Sequence, residues 1–284
     1  GNGANLTGAG SSAYIAQNIT ASSSETIIDL SYGNVIYFDS GTAQSTTVGF
    51  ASTSAAEQIT FIRDVSSVTP AFTTGGVTMD GTDDYLSLAA SGDFECTGDF
   101  TIECWFNSSN TGSNRALFNL GAYNVLGGFE WFIDDGIPLF YTTNSVNTAT
   151  RITGPSITTS RWYHIAVVRS GTTVTMYLDG SSLGSYTDST TFGNGSNNSL
   201  LIGSGWNGSS YMDYWTGVIS NVRFVKGTAV YTSNFTPSYV ALTNITNTKL
   251  LCCQSDSSTT AATVKPGTIT ANSSPTAGAQ TIIR

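Results

Sequence analysis

The sequence predicts an all-β chain whose strands pair antiparallel in two stacked sheets. Three observations carry that expectation. No apolar period of the helical kind runs for any length, short β-branched and aromatic runs alternate apolar with polar, and Gly, Asn, Asp and Ser interrupt them at hairpin spacing. Ten or more such runs with no helix between them leave a sandwich as the architecture.

Residues 1–70 hold three runs, Thr26 to Leu30, Val35 to Phe38 and Ile59 to Ile62, with Ser31-Tyr32-Gly33-Asn34 as a turn between the first two. This is enough for a small β module and too little for a large core. From Val65 to Gly76 the composition turns to Ser, Thr, Pro and Gly and reads as a linker. The regular pattern occupies residues 71–255. Val77 to Met79 runs into the turn Asp80-Gly81, and Tyr85 to Leu88 follows. Phe100, Ile102, Cys104 and Phe106 fall on one strand face, with Thr101, Glu103 and Trp105 on the other. Strands are expected at Arg115 to Leu120, Gly128 to Ile133 and Pro138 to Thr142. A hairpin follows from Trp162 through Ser170-Gly171 to Leu178, closed by Asp179-Gly180. Leu200 to Ile202, Trp215 to Phe224 and Lys249 to Cys253 complete the set. Residues 256–284 are low in complexity apart from Gly267-Thr268-Ile269-Thr270 and read as an extension lying across another module or subunit.

Only 10% of the 284 residues are charged, against roughly 25% in ordinary globular proteins, so Ser, Thr, Asn and Gly must form the surface. Such a surface suits extracellular particles and fibres. The net charge of -9 and ten scattered basic residues exclude nucleic acid as a partner, because phosphate binding needs clustered Lys and Arg. No run of eighteen apolar residues is present, so no membrane insertion is expected. The chain opens at Gly1 without Met or signal peptide, which reads as a processed or trimmed product. Cys104, Cys252 and Cys253 sit in apolar strand runs, where Cys serves as a small buried hydrophobe; with Cys96 the even count also admits two disulfides. Asn-x-Ser/Thr triplets at Asn107, Asn207 and Asn234 are expected by chance in this composition.

Four segments together resemble a known family: Met79-Asp80-Gly81-Thr82-Asp83-Asp84-Tyr85-Leu86, Asp99 to Phe106, Arg161-Trp162-Tyr163-His164-Ile165-Ala166-Val167-Val168-Arg169 and Met176-Tyr177-Leu178-Asp179-Gly180. They look like successive strands of laminin-G-like, concanavalin-A-like jelly-roll domains, with Gly217 to Phe224 and Lys249 to Cys253 as the late strands. Val225-Lys226-Gly227-Thr228-Ala229-Val230-Tyr231, Phe235-Thr236-Pro237 and Leu250-Leu251-Cys252-Cys253-Gln254-Ser255 are similar to the version found in structural proteins of marine tailed phages, and Ile28 to Val35 looks like a small module of phage fibres. The resemblance implies a virion-surface or extracellular protein, a fibre or a capsid decoration, assembled in the host cytoplasm, where thiols stay reduced. Its partners would be other virion proteins, further copies of itself as a homotrimer, and host-surface glycans. Fold does not determine function, so these are implications by analogy.

Concanavalin-A-like sandwiches also host glycosidases, which need two carboxylates about 5 to 9 Å apart. Glu130 and Asp134 share a strand face at about 13 Å between Cα atoms, and Phe132 stands between them, so the acid pair is missing and no catalytic residue is expected. His164, the single histidine, lies inside a regular strand and reads as structural. Aromatic faces stack on sugar C–H groups while Asn and Asp bond to hydroxyls, which makes Trp206, Asn207, Tyr211, Asp213 and Tyr214 the candidate glycan site, with Tyr123 and Asn124 as a second patch. Laminin-G-like domains also bind calcium at the sandwich rim, for which Asp83, Asp84, Asp134 and Asp135 are the candidate ligands, although each also suits a plain turn.

Overall fold

The computed structural model describes residues 71–112, 114–144, 147–193 and 198–283, together with six short strands of the N-terminal stretch. The chain divides into two units, Gly1–Thr69 and Pro70–Arg284.

In the first unit the strands are β1 (Ala4–Asn5), β2 (Ile15–Ile19), β3 (Thr26–Ile28), β4 (Val35–Phe38), β5 (Val48–Phe50) and β6 (Thr60–Phe61). β4 runs parallel between β2 and β6, β1 is antiparallel to β2, and β3 pairs in parallel with β5. The runs flanking residues 31–34, expected to meet as a hairpin, are therefore β3 and β4 of different sheets. Each finds a parallel partner further along the chain, which needs a longer connection than a tight turn. The turn itself lies outside the described residues.

The second unit is a sandwich of antiparallel sheets. Its front sheet has the order β13 (Thr148–Thr153), β12 (Ile137–Thr143), β11 (Phe129–Asp134), β10 (Arg115–Leu120), β17 (Leu200–Ile202), β8 (Tyr85–Leu88) and β23 (Ile269–Asn272). The back sheet has the order β16 (Ser181–Thr187), β15 (Thr173–Leu178), β14 (Trp162–Ser170), β9 (Phe100–Ser108), β20 (Thr216–Lys226), β21 (Thr248–Cys252) and β22 (Ala262–Val264). β7 (Ala71–Asp80) pairs with β20, and β24 (Thr276–Ile283) pairs with β7. Turn chemistry closes the hairpins as expected. Asp179 and Gly180 both adopt positive φ, the I′ geometry that matches strand twist, and Asp135-Gly136 does the same between β11 and β12.

Two boundaries differ from the sequence reading. The stretch read as a linker is already strand from Ala71, and residues 256–284 are no separate extension. β23 extends the front sheet beside β8, and β24 runs along β7 from Thr276 opposite Thr78 to Ile283 opposite Ala71. Backbone pairing and the burial of Ile269 and Ile282 hold these polar strands in place.

Phe100, Ile102, Cys104 and Phe106 of β9 face Trp131, Phe129 and Phe140 of the front sheet across one continuous core. All four cysteines are free and buried. Outside the core, the back sheet is covered. Trp105, Trp162 and Ile282 cluster on its outer face, and Tyr231 and Phe235, in the segment after β20, lie on Ala166, Val168 and Tyr177. Beneath that cover Glu103 accepts from Arg223 Nε at 2.8 Å, His164 Nε2 at 3.0 Å and Tyr231 Oη at 2.7 Å. Burial alone would raise the Glu103 carboxyl; His164, Arg223 and Tyr231 outweigh it and hold it below its ordinary range. His164 is thus structural.

β20 carries two strands on one edge, β7 along Thr216 to Ile219 and β21 along Val222 to Val225. The change-over is a bulge at Ser220-Asn221, where Asn221 takes φ 52°. Its buried side chain accepts from Leu242 N at 2.8 Å and Gln254 Nε2 at 2.7 Å and donates to Ser220 Oγ at 2.8 Å. Asn221→Ala should cost about 3 kcal/mol or more in denaturant unfolding, since it strands buried polar partners and places a Cβ residue without Asn's tolerance at positive φ. Asn221→Gly, which restores the backbone freedom alone, should recover only part; full recovery would assign the effect to backbone conformation and not to the hydrogen bonds.

Candidate functional site

The outer face of the front sheet is the opposite of the back one. Alternation puts Leu86 and Leu88 in the core and turns Tyr85 and Ser87 outward; likewise Phe129, Trp131 and Ile133 point in, and Glu130, Phe132 and Asp134 point out. Over this face lies a small hairpin between β17 and β20, made of β18 (Gly205–Trp206) and β19 (Tyr211–Met212), with Trp206 directly opposite Tyr211. Asn207 Oδ1 closes the turn by accepting from the amides of Ser209 and Ser210, each at 2.9 Å. The hairpin base is tied down by Gly203 N donating to Leu117 O, Trp215 N to Gly203 O and Ala116 N to Asp213 O.

This arrangement lines up four rings. Trp206 and Tyr211 have centroids 4.6 Å apart, Tyr211 and Tyr85 4.8 Å, and Tyr85 and Tyr214 6.2 Å. Tyr211 is 46% exposed and the other three are half-buried. Burial, and then the neighbouring Tyr211 hydroxyl, push the Tyr85 phenol up to about 12. Tyr123 lies beside the hairpin, its amide donating to Trp206 O at 3.1 Å and its ring edge-on to Tyr141. Asn124 stands next to the turn glycine Gly208.

The structure therefore brings Trp206, Tyr211 and Tyr214 into one strip and adds Tyr85, which sequence reasoning placed in a strand without assigning it a role. The signal was present: Tyr85 alternates with core residues, so its ring had to face out. Asn207 and Asp213, expected to reach a ligand, are engaged internally. The Asn207 amide carbonyl is committed to the turn, and the Asp213 carboxyl stands within hydrogen-bonding reach of Glu130.

That last contact was invisible in the spacing. Glu130 is 3% exposed, and a Cβ on Gly205 would collide with its Oε1, which has no hydrogen-bond partner of its own. Burial, reinforced by Asp213, holds the Glu130 carboxyl well above its ordinary range. Asp213 is also raised by burial, although Glu130 and Arg115 pull it back. Burial and the neighbouring Asp213 thus favour the neutral form of the Glu130 carboxyl.

Of the candidate calcium ligands, Asp83 and Asp84 group with Asp80, their ligand atoms within 4.8 Å of one another, while Asp134 and Asp135 belong to the β11–β12 turn. Asp134 accepts there from Asn114 N at 3.4 Å, and Asp135 takes the positive φ the turn needs. Both Asp84 oxygens accept backbone amides, from Asp80 at 3.1 Å and Ser274 at 2.8 Å.

Residues 80–230, more than half of the chain, match the family model described as the concanavalin A-like lectin/glucanases superfamily, laminin-G type. The chain belongs to this superfamily. Among solved structures, a candidate carbohydrate-binding protein from Bacteroides ovatus is similar at TM-score 0.53 and 16% identity, over 74% of this chain and 60% of that one. Domains LG4-5 of the mouse laminin alpha1 chain give 0.44 and 17%, over 58% and 47%. The CBM40 of a Ruminococcus gnavus IT-sialidase, bound to alpha2,3 sialyllactose, gives 0.45 and 12%, over 57% and 94%. The chain thus spans about half to three fifths of the length of the first two, and at these identities the likeness is one of fold. A search of curated proteins gives no significant match. The superfamily's description covers both lectins and glucanases. A glycosidase holds its carboxyl groups about 5 to 9.5 Å apart to admit sugar or water. Glu130 is buried with Gly205 packed against its Oε1, and the half-buried Asp213 interacts with it.

A folded carboxyl that keeps its proton above the unfolded value binds more protons folded than unfolded, so its stabilisation is complete at low pH and is lost as pH rises above about 4.3. Glu130→Gln keeps the shape, donates to Asp213 and cannot ionise. Unfolding at pH 5 and pH 8 should show the variant gaining on wild type at the higher pH by about 1 kcal/mol or more; parallel pH profiles would mean that the pair is not protonated in the folded protein.

Proposed function

We propose that this protein is a non-enzymatic, glycan-binding surface protein of a virion, a tail or appendage fibre of a tailed phage, whose front-sheet strip attaches to host-surface glycans. The observation that carries the reading is the row Trp206, Tyr211, Tyr85 and Tyr214, with centroids 4.6 to 6.2 Å apart, on the outer face of the front sheet. The rings, tilted against one another by 30 to 43°, present an uneven apolar surface bearing phenol hydroxyls, which suits the C–H faces and hydroxyls of a saccharide chain. The virion setting is supported by the low charge and by the segments from Val225 to Ser255 that resemble phage structural proteins. In this reading the N-terminal unit joins copies into a homotrimer and docks to other virion proteins, and the four buried free thiols fit assembly in a reducing cytoplasm.

A capsid decoration protein without a glycan ligand is the second reading. It would cover the hairpin in the assembled shell, and the exposure of Tyr211 favours adhesion over it. For calcium, Asp80, Asp83 and Asp84 supply part of the six to eight oxygens such an ion takes. No ion pair among the described residues neutralises them. We assign calcium no step in binding.

Tyr211→Ala, at a half-exposed ring, should leave the fold intact and weaken glycan binding at least tenfold, or about 1.4 kcal/mol. A glycan-array screen followed by calorimetry on the best ligand, each with and without a chelator, makes the measurement. Undiminished binding by the variant would move the site off the strip.

A further inference from the structure

We infer that the strip of Trp206, Tyr211, Tyr85 and Tyr214 accepts uncharged saccharides and turns away anionic ones, whether sialylated, uronic or sulfated. This specificity rests on the glycan-binding reading above. Its basis is the distribution of charge around the four rings. At the Tyr214 end stand Asp80 and Asp83, both exposed, with Asp84 behind them. Burial, and then the charge of Asp83, raise the Tyr214 phenol, so that carboxylate bears directly on the platform. On the Asp213 side, the half-buried Asp213 lies beside the buried Glu130, and Asp134 adds its own negative charge to the surroundings of Asp213.

The opposing charge is slight. Arg115, at the start of β10, is the basic side chain that reaches this face, and its Nη1 donates to the Tyr214 carbonyl at 3.1 Å while its charge bears on Asp213. Other described basic groups lie elsewhere: Lys226 donates to Gly92 O, and Lys265 is exposed beyond β22 with its charge near Cys252. Arg151 donates to Asn147 O, Arg161 pairs with Asp179, Arg169 is buried on backbone carbonyls, Arg223 holds Glu103, and Lys249 pairs with Asp93.

Recognition of a sugar carboxylate or sulfate draws on charge-assisted donors, above all a free guanidinium fork. A strip whose one arginine is turned onto the Tyr214 carbonyl through Nη1, and whose flanks carry several carboxylates, offers an anion more repulsion than attraction. A neutral saccharide meets no such opposition, since its stacking depends on the rings and its hydroxyls find acceptors in the tyrosines and carboxylates. Salt screens the repulsion of exposed charges, so the discrimination should weaken as ionic strength rises.

The test uses the full chain in calorimetric titrations with matched pairs of oligosaccharides, each neutral glycan against its sialylated and its sulfated derivative, at low and at high salt. The proteins are wild type, Tyr211→Ala and Asp83→Asn. The expected result is binding of a neutral member that falls in Tyr211→Ala, with its anionic partners bound at least tenfold more weakly at low salt. That gap should narrow at high salt and in Asp83→Asn. Anionic glycans bound as tightly as neutral ones, and lost in Tyr211→Ala, would overturn the charge selection and leave the glycan reading standing. Binding of neither kind across the set would overturn both.

Discussion

The sandwich depends on one backbone irregularity, the bulge at Ser220-Asn221 in β20. A strand eleven residues long can carry two different neighbours on one edge only if something parts them. Asn221 does so by adopting positive φ, a conformation Asn tolerates because its short side chain bonds locally, and by spending its amide on both sides of the gap. Ser220 Oγ donates to Gly75 O, and Gly75 lies so close to the backbone of Ser255 that no Cβ fits there. β7 leaves and β21 enters through this junction. Because β7 in turn is the partner of β24, the chain's last described strand is held by the same junction. The front-sheet hairpin inherits its position from the other end of β20, where Trp215 is buried in the core one residue before the strand begins.

The two outer faces then have different fates. The back sheet carries Glu103, His164 and Arg223, which no solvent reaches once Tyr231 and Phe235 close over them. Such a buried ionic group contributes little net stability over an apolar equivalent, but removing one member leaves the rest uncompensated. Its effect is to fix where the covering segment lies, since Tyr231 must meet Glu103 and Arg223 must meet Thr243 O. The front sheet has no such cover. It has a short hairpin lying over Glu130, held by a few backbone bonds, with the Tyr211 ring toward solvent.

Most of the sandwich was legible because burial on one face writes an alternation into the strand. Phe100 to Phe106 and Trp162 to Arg169 show it, and both faces came out as read. The strands that were missed, β13, β16, β22 and β24, are edge or near-edge strands rich in Thr, Ser and Ala, whose pairing is backbone to backbone and leaves little mark on side-chain type. Local chemistry was legible where it was local: the Asp179-Gly180 turn follows from two adjacent residues. The Glu130–Asp213 pair does not, since 83 positions separate its members and only the fold brings them together. Reading acids along one strand therefore found Asp134, the wrong neighbour. The same limit hid Tyr85 from the glycan strip, as its outward direction was visible but its stacking on Tyr211 was not.

The carboxyl pair also bears on the proposal that this member of a lectin and glucanase superfamily is a binder. Cleavage needs one acid to give a proton and another to attack or to hold water, with the glycosidic bond between them. In this protein Glu130 is buried beside Asp213, and Gly205 packs against its Oε1. What remains is a surface of rings. In the proposed reading, a row of four aromatic side chains on a sheet face encloses little of a ligand, so each copy should hold a glycan weakly and exchange it quickly. Strong attachment would then come from the number of copies presented together, because linked sites turn later contacts into intramolecular ones. A shallow and uncharged contact is well matched to repetition, since no single copy has to be tight for the array to hold.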